Sequence, residues 1–312
     1  MNKEKNKFLR RRAGWFAIRW FTAFSGVMPL GWNYFLGKVL GNFAYLVVVR
    51  HRKISLESLK TAFPNLSLRE RKKITRDFFV FMAQGSFELL HYLKNLKQLN
   101  NIQVEGKSYL DKALENKKGV ILVTAHLGNF PLMSLKLAKE GYRVYFVTRP
   151  MRDDKAGDYL YDLRSKAGVN TIFSYPRREC VNGIMKALAG NGIVIMQMDQ
   201  NFGSGGVWVK FFNKLAATPV GPIVLGLRTK ASLVPAYIYH EKGFKHRIKI
   251  FPEEIMETGE SRDQSILMNA VKFTRIIEGW VKEVPGQWSW IHRRWKSRPS
   301  EKVQSLKFKI ET

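Results

Sequence analysis

The stretch that most constrains the fold is residues 119–140, GVILVTAHLGNFPLMSLKLAKE. Val120-Ile121-Leu122-Val123 is a short apolar run rich in β-branched residues, the pattern of a strand buried on both faces. It ends in Thr124-Ala125-His126 and turns through Leu127-Gly128-Asn129. Leu132, Leu135 and Leu137-Ala138 then recur at helical spacing until Gly141 stops the pattern. In open α/β sheets, ligands gather at the carboxyl ends of strands, so His126 stands where a general base is useful. A single His after a strand is more often a satisfied structural residue. Two neighbours weigh on the other side. Gly128 lets a substrate approach the backbone closely. Asn129 can cap the helix, turning its free N–H groups toward the imidazole.

The same alternation continues downstream. Strands are expected at 143–148, 171–173, 192–198, 207–212, 233–239 and 246–251, and helices at 155–166, 179–189, 220–229 and 266–284. That order predicts an α/β fold: a mixed, mostly parallel sheet covered by helices on both faces. Arg149 and Asp199 join His126 at strand ends, and Arg164 falls near the end of the 155–166 helix. Asp199 can serve as the carboxylate that orients His126. No zinc-type Cys/His spacing, Walker loop or dinucleotide glycine fingerprint is present.

The N-terminal fifth has another character. Lys3, Lys5, Lys7 and Arg10 to Arg12 form a basic start, and from Trp20 to Val49 the only charge is Lys38. Gly26, Pro29 and Gly31 interrupt this aromatic-rich segment, leaving two shorter pieces. It is expected to be a hydrophobic helical anchor embedded in a membrane or lying at its interface, with Trp15, Trp20 and Trp32 at headgroup depth. The alternative is a buried helical hairpin. Arg50-His51-Arg52-Lys53 closes the segment, which divides the chain into an anchor (1–53) and a catalytic domain (54–312). The second part begins with a helical entry (54–100) and continues as the α/β core (101–312). Ser67 and Glu70 read as a capping box opening a helix to about Leu93, with Met82, Phe87, Leu89 and Leu90 as core. Lys and Arg outnumber Asp and Glu by 53 to 25, a formal charge of +28, which favours an anionic partner. The single Cys180 excludes an intrachain disulfide.

Taken together, these residues resemble the bacterial lipid A biosynthesis (lauroyl/myristoyl) acyltransferases, within the glycerolipid acyltransferase superfamily. The likeness runs through Arg50, Lys53, Leu59 and Ala62-Phe63-Pro64, the block His126 to Phe130, Arg164, and Asp199-Gln200. It continues with Phe211-Phe212, Ala217-Thr218 and the tail from Gln287 to Lys296, QWSWIHRRWK. The resemblance implies acyl transfer from acyl carrier protein to a hydroxyl of a lipid, at the cytoplasmic face of an inner membrane. A lipid A precursor is the expected acceptor. A lysophospholipid or another polar lipid would use the same residues. It assigns His126 as base and Arg164 and Asp199 as further catalytic groups. Gly128, Asn129, Arg149 and Thr218 are expected to bind the substrate. No metal or organic cofactor is expected, and no nucleic acid.

One residue departs from the family pattern. The family places an acid five residues after the His, where this chain has Pro131. Asp199 is the expected replacement, with Asp153 and Asp154 as other candidates. Backbone N–H groups around Gly128-Asn129 are the expected oxyanion donors. Two rival readings remain: a covalent route through Cys180, beside Arg177 and Arg178, and a non-enzymatic membrane-tethered binder of nucleic acid or anionic lipid using the basic, Trp-containing tail.

Overall fold

The computed structural model describes residues 2–151 and 153–299. The chain opens with α1 (Asn2–Val27), α2 (Leu30–Val47), α3 (Val49–Ala62) and α4 (Leu68–Lys94). Then come β1 (Gln103–Glu105), α5 (Lys107–Glu115), β2 (Val120–Thr124), α6 (Phe130–Lys139), β3 (Val144–Thr148), α7 (Asp154–Lys166), β4 (Val169–Phe173), α8 (Arg177–Ala189) and β5 (Ile193–Gln197). A hairpin of β6 (Val207–Phe211) and β7 (Lys214–Thr218) precedes α9 (Gly221–Thr229), β8 (Ser232–His240), β9 (His246–Ile250) and α10 (Arg262–Glu283).

The main sheet has the order β1-β9-β8-β2-β5-β3-β4, parallel throughout except where β9 runs against β8. It is therefore mixed and mostly parallel, as the sequence alternation predicts. Every residue of β2 is buried, because both faces are covered. Ile121 and Val123 enter one apolar cluster with Ile184, Ile223 and Phe273 of α8, α9 and α10. Val120 and Leu122 enter the other, with Leu110, Leu132 and Leu163 of α5, α6 and α7. The two-residue period of a strand separates the layers.

The expected strands and helices of the core agree with the structure to within four residues, the largest difference being the start of α10, which is ordinary for element ends. Three short elements were not foreseen: β1, α5 and β7. The last closes a hairpin through Phe212 and Asn213, both at positive φ (49° and 61°). Its Ala-Ala sequence carries little strand propensity.

In the N-terminal helices, Pro29 ends α1 and begins α2, as a residue without an N–H must. Side chains satisfy the carbonyls at the break. Ser25 O accepts from Asn33 Nδ2 at 3.0 Å and lies 2.7 Å from His91 Nδ1. Gly26 O accepts from Asn95 Nδ2 at 2.8 Å. Glycines on α2 let it lie directly on α4. A Cβ at Gly37 would stand 2.6 Å from Gln84 Cα, and one at Gly41 2.4 Å from Val80 Cα. The outer faces keep Trp20, Trp32, Phe35, Val39, Phe43 and Leu46 exposed. Among the described residues no helix is long and apolar enough to cross a membrane. The basic cluster from Lys3 to Arg12 lies outside the described side chains.

The division at 53/54 falls inside α3. The capping box is present: Glu70 N–H donates to Ser67 Oγ, and Ser67 N–H to Glu70 Oε2. Phe87 and Leu90 are buried, but Met82, expected in the core, is 43% exposed on the outer side of α4.

Candidate active site

The site follows from strand register. β2 and β5 are parallel neighbours with Thr124 opposite Gln197, and Met198 N–H donates to Thr124 O at 3.1 Å. Two residues beyond each strand, His126 and Asp199 therefore emerge side by side. Asp199 Oδ1 faces His126 Nδ1 at 2.8 Å, and Oδ2 accepts the backbone N–H of His126 at 2.9 Å. Trp288 Nε1–H donates to Oδ2 at 2.7 Å. Asp199 is 2% exposed. Burial pushes its carboxyl up, but the nearby His126, the hydrogen bonds from its ring and backbone, and Trp288 outweigh that, so the group is held below the usual carboxylate range.

The carboxylate selects the tautomer with the proton on Nδ1, leaving Nε2 with a free lone pair. The imidazole is 25% exposed. Among the described residues Nε2 has no hydrogen-bond partner. The ring of Phe130 meets it edge-on at 5.1 Å. A buried carboxylate, an oriented imidazole and an accessible nitrogen suit abstraction of a proton from a hydroxyl. Pro131 stands where the family pattern is expected to have an acid, and the carboxylate beside His126 comes from beyond the neighbouring strand β5. Pro131 sits in the first turn of α6, where its missing N–H has no partner to lose. Asp153 is occupied elsewhere, capping α7 through Ala156 N–H at 3.0 Å.

A strap from Gly286 to Trp290 runs along the turn. Gly128 N–H donates to Gln287 O at 3.0 Å, and Ser289 N–H to His126 O at 3.1 Å. Gly128 has φ +63°, and a Cβ there would stand 1.8 Å from Ile238 O. Glycine is required by the protein's own backbone, not by an approaching substrate, and its N–H is not free for an oxyanion. This corrects the sequence reading for Gly128, and leaves the N–H of Asn129 as the other expected donor. Asn129 also differs from expectation. Its side chain makes no cap hydrogen bond to α6. It is buried and donates Nδ2 to Gly85 O and Glu88 Oε2, each at 3.0 Å.

The remaining candidates scatter. Arg164 lies beyond two aromatic rings: its guanidinium is 4.9 Å from the Phe146 ring, which stacks on Phe130 at 6.0 Å. Its Nη1 reaches Thr171 Oγ1 at 3.5 Å, and no carboxylate lies within ion-pair distance among the described residues. Burial depresses its pKa. Arg149 is exposed just past β3, two places along the sheet from β2. Thr218 is fully buried; its hydroxyl donates to Ala216 O at 3.1 Å and accepts from Arg294 Nη2 at 2.6 Å. It is committed to the fold and not turned toward a substrate. Cys180 is buried in the core, which pushes its thiol up and away from the thiolate a covalent route needs.

Trp288, Gln287, Phe130 and Glu88 are the contributors that sequence reasoning left without roles. Trp288 and Gln287 belong to the distinctive tail, but only the fold brings that tail to Asp199. A cavity of about 300 Å³ beside Gln287, lined also by Asp77, Phe81, Gln84 and His240, does not include His126.

The model for the bacterial lipid A biosynthesis acyltransferase family matches residues 1–297. The lipid A biosynthesis lauroyltransferase of Escherichia coli (strain K12) is 27% identical over 283 residues, 87% of this chain and 88% of that protein. The palmitoleoyltransferase of the same strain is 27% identical over 273 residues, 85% of each. A phosphatidylinositol mannoside acyltransferase of Mycobacterium tuberculosis is 23% identical over 213 residues, 68% of this chain and 65% of that one.

Proposed function

The chain belongs to the bacterial lipid A biosynthesis acyltransferase family, and from that premise we propose that it moves a fatty acyl group from acyl carrier protein to a hydroxyl of a lipid A precursor, with His126 as general base. The observation that carries this reading is the 2.8 Å contact between His126 Nδ1 and Asp199 Oδ1.

With Nδ1 held, Nε2 takes the acceptor's hydroxyl proton as that oxygen bonds to the thioester carbonyl carbon. The carbonyl electron pair moves onto oxygen and returns as the carbon–sulfur bond breaks. The leaving thiolate then takes the proton from His126, yielding an ester and a free carrier thiol. Asp199 steadies the transient imidazolium without itself becoming protonated. The N–H groups of His126 and Gly128 are already engaged, so of the expected donors around Gly128-Asn129 the oxyanion is left with the N–H of Asn129. Arg164, lacking a carboxylate partner, suits a phosphate of acceptor or carrier. The chemistry requires no metal or organic cofactor.

Charge and surface support the setting. Acyl carrier protein and anionic lipids both suit a formal charge of +28. The exposed aromatic faces of α1 and α2 suit insertion into a lipid interface, at the cytoplasmic side of an inner membrane. The test is transfer from an acyl–acyl carrier protein to a lipid A precursor by purified protein. His126→Ala should lose at least about a hundredfold in rate, and full activity in that variant would sink the mechanism. Rates should fall as salt rises; a preference for acyl-coenzyme A would count against the donor. The Mycobacterium relative acts on a different polar lipid, which favours a second reading with another such acceptor. Lipid mass spectrometry of a host with and without the protein distinguishes the two.

A further inference from the structure

Behind the catalytic turn lies a buried polar knot that the transfer chemistry does not use. At its centre is Glu88 of α4, 1% exposed. Oε2 accepts from Asn129 Nδ2 at 3.0 Å. Oε1 lies 2.6 Å from His246 Nε2 on β9 and accepts the hydroxyl of Tyr34 on α2. Burial pushes the Glu88 carboxyl up, but His246, Tyr34 and Asn129 outweigh it, and the group stays below its ordinary range. Tyr34 is correspondingly pushed up, by burial and then by the charge of Glu88. Among the described residues His246 Nδ1 is buried without a partner, and its Nε2 faces Glu88 at 2.6 Å and the Tyr34 hydroxyl at 3.4 Å.

Such a charge is a poor device for stability alone, because desolvation offsets most of what the pairing contributes. Its geometry offers another reason. The knot ends on Asn129, the residue before α6 and the third after His126. On one side the Gln287–Ser289 strap pins the turn. On the other, Asn129 is tied to α4 only through Gly85 O and Glu88.

We infer that Glu88 is a positioning residue for transfer: its carboxylate, locked by Tyr34 and His246, fixes the turn that carries His126 by way of Asn129. The inference rests on the reading of His126 as base. Because Tyr34 belongs to α2, the helix with the exposed aromatic face, the seating of that helix and the aim of the base are mechanically joined.

The experiment compares Glu88→Gln, Asn129→Ala, their double variant, Tyr34→Phe, His126→Ala and a core control outside the polar knot, Ile277→Ala, chosen from a buried position on α10. Each is assayed for thermal midpoint, kcat and KM with an acyl–acyl carrier protein. Each is also examined for the low-field proton of the His126–Asp199 hydrogen bond in 15N-histidine-labelled protein. In Glu88→Gln the amide must set an N–H against one of the three donors. Its kcat should fall about tenfold, the scale of a small misplacement of a reacting group, with KM little changed. The double variant should be no worse than the poorer single one, since both act along one path. The low-field signal should move or broaden in Glu88→Gln and stay put in Ile277→Ala. Where Glu88→Gln does not fold, Tyr34→Phe, which keeps the charge, should still lower kcat severalfold and move the signal. A folded Glu88→Gln or Tyr34→Phe with unchanged kcat and an unmoved signal overturns the inference. Full activity in His126→Ala overturns instead the reading beneath it.

Discussion

Around His126 the polar groups of the turn are held from several directions. Asp199 takes its ring and its N–H, Ser289 takes its carbonyl, Gln287 takes Gly128, and Glu88 takes Asn129. Along α2 only the inward side is so treated. Asn33, Tyr34, Gly37 and Gly41 are buried against α1 and α4, while Trp32, Phe35, Val39, Phe43 and Leu46 meet solvent. The turn is a site in which each partner removes a degree of freedom, as catalysis by orientation demands. Helix α2 has one side packed and one side apolar and exposed. The first region is therefore expected to fail on losing a single partner, and the second to stay folded on losing several aromatic groups.

The sharpest way to break that contrast is Asp199→Asn. The amide cannot accept from both His126 N–H and Trp288 while presenting an acceptor to Nδ1, so kcat should drop about a hundredfold or more, measured as transfer per folded protein. Near-normal rates would mean that the tight partnering of the turn has no bearing on the chemistry. Next in size is the exposed face of α2. Replacing Trp32, Phe35 and Phe43 together by Ser should abolish flotation with anionic vesicles, since each buried aromatic contributes about 1.5–3 kcal/mol. Activity on detergent-dispersed substrate should stay within severalfold. Loss of folding instead would show that this face belongs to the core.

Acid offers a milder probe. Asp199 and Glu88 are both held below the ordinary carboxylate value. Their contribution to stability is therefore fully present above that value, about 4, and is lost as pH falls through the lower, folded-state values. Urea midpoints should decline with pH in that window, and Asp199→Asn should flatten the decline. The smallest effect is expected for Pro131→Glu. Position 131 lies in the first turn of α6, where an acid is tolerated, and Asp199 already holds Nδ1. A large gain in rate would show that the sequence position, not the neighbouring strand, supplies the better partner.

The strand-turn-helix at 119–140 was legible from the sequence because periodicity and turn residues are local. The same holds for the Pro29 break, for the Ser67–Glu70 box and for the order of the core elements. The site was legible in outline: His126 and Asp199 each stand just beyond an apolar run. Less could be said of the residues around them. Gly128 reads equally well as a gap for substrate or for Ile238 O, and Asn129 equally well as a cap or as a donor to Glu88. Thr218 sits beside a distinctive motif, yet its hydroxyl belongs to Arg294.

What the sequence by itself determined was therefore the alternation of strands and helices, the place of His126 at a strand end and the want of an acid at 131, because each depends on residues a few positions apart. What the tertiary structure decided was which acid answers His126. Asp199 lies 73 residues away in the chain, and only the pairing of β2 with β5 brings it to 2.8 Å. Trp288 and Glu88 reach the same turn from α10's far side and from α4. Hydrogen bonds are short-ranged, so partners this distant in sequence exist only once packing has fixed the backbones that carry them.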